Sequence, residues 1–280
     1  MTKDDAVVKI QVPNLSIQQI SESGQCFRMN RLDEKRYCLT AFGNYLEMEQ
    51  TEEELTLFCS REEYDSIWRQ YFDIDRDYGS CIAAVCGEDT YLARAADFGS
   101  GIRILRQDVW EMVISFIISQ QNNIRRIRKC IETLCAGYGE KRYREMPHGI
   151  RSYDTFPGAE ALARATEEEL RGCNLGYRSR YIVNTSRSIV NGEVDLEALR
   201  SMEYGQAREE LLKLSGVGGK VADCICLFGL HHLDAFPVDT HIRQVLDAQY
   251  PAGFPFEKYA GYAGIMQQYI FYYDLMWKKA

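Results

Sequence analysis

The sequence predicts an α+β protein, with a small antiparallel sheet in its first third and helices from there to the end. Three observations predict it. Residues 7–60 hold short stretches with alternating apolar residues, "VVKIQV", "CFRMN", "RYCLTAFGNYLEMEQ" and "ELTLFCS", punctuated by turn residues such as Gly43-Asn44. From about Asp73 the apolar residues recur at helical spacing instead. Between the two textures "ADFGSGIRILRQD" (96–108) reads as a connector, which suggests an N-terminal unit of residues 1–99 and a helical region of residues 100–280.

Within the helical region, Asp108 stands where it can cap a helix whose apolar positions Trp110, Val113, Ile114 and Ile117 follow a period near 3.6. A second set, Ile124, Ile127, Ile131 and Leu134, resumes after the polar break "SQQNN" (119–123). "TEEE" (166–169) is a capping box, Gly172 can end that helix, and "NLGYRSRYIVNTSRSIV" opens another after a tight turn. Residues 207–214 supply one further helix and 220–230 the next, with "SGVGG" between them. No internal repeat or low-complexity segment is evident.

Composition excludes several classes. No apolar run approaches membrane-spanning length, and "WEMVISFIISQ" (110–120) is both short and interrupted. The opening residues carry no secretory or organellar targeting pattern, so a cytoplasmic protein of prokaryotic type is expected, and a monomer. Ten cysteines suggest disulfides at first sight, but Cys130, Cys135, Cys224 and Cys226 sit in apolar helical stretches, as reduced thiols do. "CIAAVC" (81–86) is spaced too widely for paired zinc ligands and has no partner pair, so no metal is expected there. The formal net charge of −8 argues against DNA binding by bulk charge. Residues 1–100 hold 10 Lys and Arg against 19 Asp and Glu, however, so the acidity belongs to the first third and the remainder is balanced. There "RRIRK" (125–129) and "RSRY" (178–181) can meet phosphates or simply face solvent.

The segment "KLSGVGGKVADCICLFGL" (213–230) carries the chemistry. Three glycines, Gly216, Gly218 and Gly219, let a turn adopt angles closed to other residues and leave its N–H groups uncovered. Such a turn feeding a helix N-terminus suits a phosphate, although it would also serve as a plain connector. Lys220 follows it directly. The helix dipole disfavours an ammonium ion there, which favours the free amine that a nucleophile requires. Downstream, "FPVDTHI" (236–242) places Asp239 at the start of a new amphipathic run, as a helix cap that can also set a carboxylate beside the lysine.

"LSGVGGKVADCICL" followed by "VDTH" resembles the helix-hairpin-helix, Gly/Pro-rich loop and aspartate signature of the base-excision DNA glycosylase superfamily, and its lysine marks the bifunctional branch. "SGQCFRM" (23–29), "SFIISQQNNIRRI" (115–127), "LGYRSRY" (175–181) and "YAGIMQQYIFYYDL" (262–275), matching in order, narrow the resemblance to the 8-oxoguanine DNA glycosylases. The likeness runs from about residue 20 to the C-terminus. It implies an N-terminal β domain like half of a TATA-binding protein and two helical subdomains, residues 108–231 and residues 100–107 with 232–280, flanking an active cleft. It implies Lys220 as nucleophile and Asp239 as stabiliser of positive charge on the sugar. Gly24 would offer the carbonyl that reads the oxidised base, Gln267 would bind its Watson–Crick edge, and Cys224 and Phe271 would hold its faces. Gln121, Asn122 and Tyr177 would fill or wedge the gap left by the flipped base, with Arg126 and Arg178 reading the orphaned cytosine. Gln121 departs from the Asn common at that position. Gly216, Gly218, Val221 and His241 would meet the DNA backbone.

The expected partner is double-stranded DNA containing oxidised guanine opposite cytosine, with no membrane. No cofactor is expected. The iron–sulfur cluster of some relatives needs four C-terminal cysteines, whereas the last here is Cys226; a monovalent cation is expected at the hairpin. Two other readings compete. A glycosylase of this superfamily for another oxidised base is disfavoured by "SGQCFRM", and a non-catalytic hairpin module would need neither Lys220 nor Asp239.

Overall fold

A computed structural model describes residues 7–277 apart from 53, 86 and 88, so Cys86 of the 81–86 pair lies outside the described residues. Five short strands, β1 (Val8–Ile10), β2 (Met29–Arg31), β3 (Arg36–Ala41), β4 (Asn44–Gln50) and β5 (Leu55–Leu57), form one sheet in the order β1-β5-β4-β3-β2, with every neighbouring pair antiparallel. The β3–β4 hairpin turns through Phe42 and Gly43, both at positive φ, which matches the right-handed twist of the strands they join. Helix α1 (Ile17–Glu22) lies between β1 and β2, capped by Ser16. After β5 the chain runs as one continuous helix through α2 (Arg61–Glu63), a π-helical segment (Tyr64–Trp68) and α3 (Arg69–Tyr71). Alternate strand residues Met29, Leu39, Leu46, Met48 and Leu57 are buried with Trp68, Tyr71 and Phe72, making the first of two cores.

The second core belongs to the helices: α4 (Tyr78–Ala83), α5 (Thr90–Phe98), α6 (Val109–Ser119), α7 (Ile124–Tyr138), α8 (Ala159–Arg164), α9 (Glu167–Arg171), α10 (Arg178–Val190), α11 (Leu196–Leu199), α12 (Tyr204–Leu211), α13 (Gly219–Phe228), α14 (Thr240–Gln249) and α15 (Ala263–Trp277). The caps read from sequence are present. Asp108 accepts from the Glu111 N–H, and Thr166 and Glu169 form the reciprocal capping box. Helix α6 is buried on nearly every side, Val109, Met112, Val113, Ile114, Ile117 and Ile118 among its buried residues, and so forms the axis of this core.

Three local features differ from the sequence expectation. Asp89 caps α5, which runs to Phe98, so the connector begins at Gly99 rather than at residue 96. The helices around the hairpin are α12 and α13, shifted toward the N-terminus relative to 207–214 and 220–230, because Leu212 already closes the first and Gly218 caps the second. Strands β6 (Lys141–Met146) and β7 (Gly149–Asp154) form a hairpin of their own. It straps the helical region to the sheet: Arg144 meets Glu63 at 2.7 Å, Arg151 meets the buried Glu47 at 2.8 Å, and Tyr153 stacks on Tyr45. Among the described residues each cysteine is a free thiol, and no helix is long and apolar enough to cross a membrane.

Candidate active site

The turn between α12 and α13 is built around Gly216 at φ +82°, where a Cβ would lie 2.6 Å from the Tyr181 ring, so both the backbone angle and the packing demand glycine. Gly218 caps α13 in an extended conformation without any side-chain cap, leaving the first amides of the helix uncovered. Lys220 is the second residue of that helix. Its ammonium sits 5.2 Å from the centroid of the Phe116 ring, a cation–π arrangement, and beside the buried Cys224 one turn further on. Burial pushes the Cys224 thiol up, while the charge of Lys220 and a hydrogen bond with it act in the opposite direction.

Asp239 caps α14, its Oδ1 accepting the Ile242 N–H at 2.8 Å. Lys220 and Asp239, nineteen positions apart, line the same open cleft of about 760 Å³, which is also bordered by the 119–122 loop and by Thr240, His241 and Arg243. The same two residues border a small inner cavity of about 50 Å³ against Gly24, Cys224, Gln267 and Phe271. The Gln267 side-chain nitrogen donates to the Pro237 carbonyl at 3.0 Å, while its Oε1 is buried with no hydrogen-bond partner. Gly24, at φ +76°, rests against Phe271, where a Cβ would come within 3.1 Å of Cε1. The inner cavity is therefore closed to little more than a few waters. His241 stands edge-on to Phe271 and places Nδ1 3.3 Å from Asp274 Oδ2.

Residues 7–113 match the family model for the N-terminal domain of 8-oxoguanine DNA glycosylase, and residues 114–252 match that of the HhH-GPD superfamily of base excision DNA repair proteins. The fold superposes on the Clostridium acetobutylicum 8-oxoguanine glycosylase/lyase, crystallised with double-stranded DNA containing cytosine opposite 8-oxoguanine. The TM-score is 0.91 at 36% identity, covering 98% of this chain and 96% of that one. The chain belongs to the 8-oxoguanine DNA glycosylase family. It is 42% identical over 161 residues to a Saccharomyces cerevisiae N-glycosylase/DNA lyase, covering 54% of this chain and 42% of the yeast protein. To a probable N-glycosylase/DNA lyase of Methanothermobacter thermautotrophicus it is 34% identical over 211 residues, 68% of this chain and 64% of that protein. The matched stretch thus spans less than two thirds of the length of these two curated relatives.

The remaining positions named from the family resemblance divide by location. Gln121, exposed and at φ +46°, and Asn122, whose amide donates to the Ile118 carbonyl at 3.1 Å, project from the loop into the cleft with Gly218 and Val221. Arg126 is exposed on α7, and Tyr177 is 47% exposed at the start of α10. Arg178 is buried at 4% exposure, its guanidinium under the Tyr177 ring and pointed at backbone carbonyls of the loop. Arg126, Tyr177 and Arg178 lie outside the residues that line the cleft. Sequence reasoning missed Phe116, Gln120, Pro237 and Gln268, which border one cavity or the other. Phe116 sits in a mostly apolar helical stretch and carries no signal that separates it from core; Pro237 and Gln268 lie within two positions of residues already singled out.

Proposed function

We propose that this protein is a bifunctional DNA glycosylase and AP lyase that excises 8-oxoguanine from double-stranded DNA, with cytosine as the opposite base. The observation that carries the reading is the meeting of Lys220 and Asp239 at the border between a wide cleft and a small closed recess lined by Gly24, Cys224, Gln267 and Phe271. The wide cleft suits the sugar–phosphate backbone, and its floor is the uncovered N-terminus of α13. A stacked base cannot present its sugar carbon to a nucleophile, so the damaged nucleotide must leave the helix and enter the recess. Entry requires Phe271 to move off Gly24. Once there, the base meets the unpartnered Gln267 Oε1, an acceptor suited to the N–H donors of a guanine Watson–Crick edge. Oxidation turns N7 of guanine from acceptor to donor, and the Gly24 carbonyl is the group that reads this change, glycine permitting the approach.

In the reaction the Lys220 amine attacks the anomeric carbon while the glycosidic bond breaks and the base departs with the bonding electrons. The Asp239 carboxylate faces the positive charge that develops on the sugar. Loss of a proton from the amine and opening of the sugar ring give an imine. Removal of a proton from the adjacent sugar carbon expels the 3′ phosphate, which nicks the strand, and water then hydrolyses the imine to free Lys220. Gln121, Asn122 and Tyr177 occupy the vacated space, Arg126 and Arg178 read the orphaned cytosine, and His241, Gly216, Gly218 and Val221 face the backbone. Among the described residues no cluster of His, Cys, Asp and Glu could hold a metal ion. The hairpin carbonyls of Ser215 and Gly216 each accept one internal hydrogen bond and keep a second lone pair, so they suit a monovalent cation that would offset phosphate charge.

The test is borohydride trapping on duplexes containing 8-oxoguanine opposite cytosine, an oxidised pyrimidine, or no lesion. A covalent adduct with the 8-oxoguanine duplex alone, absent in Lys220→Gln, is expected. Trapping on the oxidised pyrimidine alone would transfer the protein to another lesion; binding of DNA with no adduct anywhere would reduce Lys220 to a neighbour of a phosphate-holding turn.

A further inference from the structure

A chain with a net charge of −8 has to hold DNA by charge placed locally, and the cleft shows where that charge sits. Among the described residues that line it, Asp239 is the one carboxylate, set against Lys220 and Arg243 with His241 beside them. Lys220 and Asp239 are taken up by the proposed reaction, and His241 is engaged by Asp274, Nδ1 to Oδ2 at 3.3 Å. Arg243 has no such engagement. It is exposed on α14, and among the described residues its guanidinium makes neither an ion pair nor a hydrogen bond. Its backbone N–H donates to the Asp239 carbonyl at 2.9 Å, so it stands one helical turn beyond the carboxylate on the same rigid element. The fold gains little from a cation there, because the dipole favours negative charge this close to the start of a helix.

We infer that Arg243 binds a phosphate of the lesion-bearing strand from the α14 side of the cleft, while the uncovered amides of α13 hold the backbone from the other. This rests on the reading of the cleft as a DNA-lesion site. The strand is set by Asp239, whose carboxylate faces the sugar of the flipped nucleotide. A helical turn is about 5.4 Å and one nucleotide advances about 3.4 Å along the duplex, so a guanidinium mounted there meets the strand within one or two nucleotides of that sugar. A phosphate contact carries no base information and therefore serves damaged and undamaged duplexes alike. It acts on binding and not on the chemical step, since a phosphate held equally in the bound and the reacting states lowers KM without raising kcat.

The experiment measures anisotropy of wild type, Arg243→Gln, Arg243→Lys and Arg94→Gln over a series of KCl concentrations. The duplexes are undamaged or carry a tetrahydrofuran abasic analogue opposite cytosine, and single-turnover excision of 8-oxoguanine is followed at saturating protein. Arg94, exposed on α5 and outside the residues that line the cleft, controls for the lost charge. Arg243→Gln should weaken binding to both duplexes by roughly tenfold at low salt and reduce the slope of log K against log[KCl] by about 0.9, the share of one phosphate. Its excision rate at saturation should stay within about twofold of wild type. Arg243→Lys should keep most of the slope, since an ammonium also meets a phosphate as a point charge, and Arg94→Gln should leave the slope unchanged. A wild-type slope in Arg243→Gln would overturn the inference, and so would an equal change in Arg94→Gln, which would trace the effect to net charge. Intact binding with a slower rate at saturation would also overturn it and move Arg243 into the chemistry. Were the wild type to excise no 8-oxoguanine while the slope still fell in Arg243→Gln, the substrate reading would fail and the phosphate contact would stand.

Discussion

Two polar constellations inside this molecule handle their hydrogen bonds in opposite ways. At the junction of sheet and helices, Arg103 is almost wholly buried and donates to four backbone carbonyls, those of Pro13, Asn14, Asp73 and Arg76. Asp73 beside it accepts from Arg76, Tyr78 and Arg106. Burial alone would raise the Asp73 carboxyl, but His231 and Arg106 outweigh it and hold it well below the usual carboxylate range. At the active site, by contrast, Gln267 keeps a buried oxygen with no partner among the described residues, and Lys220 faces an aromatic ring. A buried polar atom without a partner costs folding energy, and in the proposed mechanism the base that enters the recess supplies the partner of Gln267 Oε1. The junction is built to hold; the cleft is built to receive.

That contrast can be broken most directly at its two charged centres. Lys220→Gln should abolish the trapped adduct altogether while changing unfolding free energy by less than about 1 kcal/mol, since no ion pair among the described residues is lost. Arg103→Met should do the reverse. It leaves four carbonyls without their donor in a dry interior, costing roughly 3–5 kcal/mol in urea unfolding, with excision per folded molecule near wild type. A variant at Arg103 that folds normally but cannot excise would mean that the junction is part of the reaction and not only of the fold.

Gln267→Met sharpens the comparison. Loss of the bond to the Pro237 carbonyl is offset by removal of an acceptor that had no partner, so stability should move by no more than about 1 kcal/mol. Excision of 8-oxoguanine should fall by roughly 10- to 100-fold in kcat/KM, the value of one buried hydrogen bond to a flipped base. A large stability loss with little effect on excision would show that Gln267 belongs with the junction.

How far these regions were legible in the sequence follows from how local their determinants are. The Asp108 cap and the Thr166–Glu169 capping box depend on three or four neighbours and could be read directly. The β6–β7 strap could not. Its inward residues are arginine and tyrosine, whose partners Glu63, Glu47 and Tyr45 lie in another part of the chain, so no alternation of apolar residues marks it. Helices α4 and α5 precede residue 99 yet lend Tyr78, Leu92, Ala95 and Ala96 to the helical core, because α5 packs on α15 from the far end of the sequence. At the site, Lys220 and Asp239 stood out through the glycine turn and the cap, whereas Cys224 and Gln267 looked like core and were singled out only through the family resemblance. The buried orientation of Arg178 was hidden for a related reason: "RSRY" has the composition of a solvated face, and only the loop carbonyls opposite explain why it is not one.

The smallest expected effect tests the border between holding and receiving. Gly24 is at φ +76° and lies against Phe271, so it serves the packing of the closed recess and, in the proposed mechanism, the reading of the base. Alanine there takes on a left-handed conformation at a cost of about 1–2 kcal/mol, and its Cβ, 3.1 Å from Phe271 Cε1, must push the ring aside. For a chain of this size the midpoint should drop by only a few degrees, about 2–4 °C per kcal/mol. Excision should fall by roughly tenfold, the loss residing in entry of the base and therefore in kcat/KM more than in affinity for abasic-analogue DNA, which leaves the recess empty. Thermal unfolding, excision and anisotropy on the one variant separate the two roles. A drop in stability with unchanged excision would place Gly24 with the residues that merely close the recess, and the oxidised edge of the base would then be read by another group.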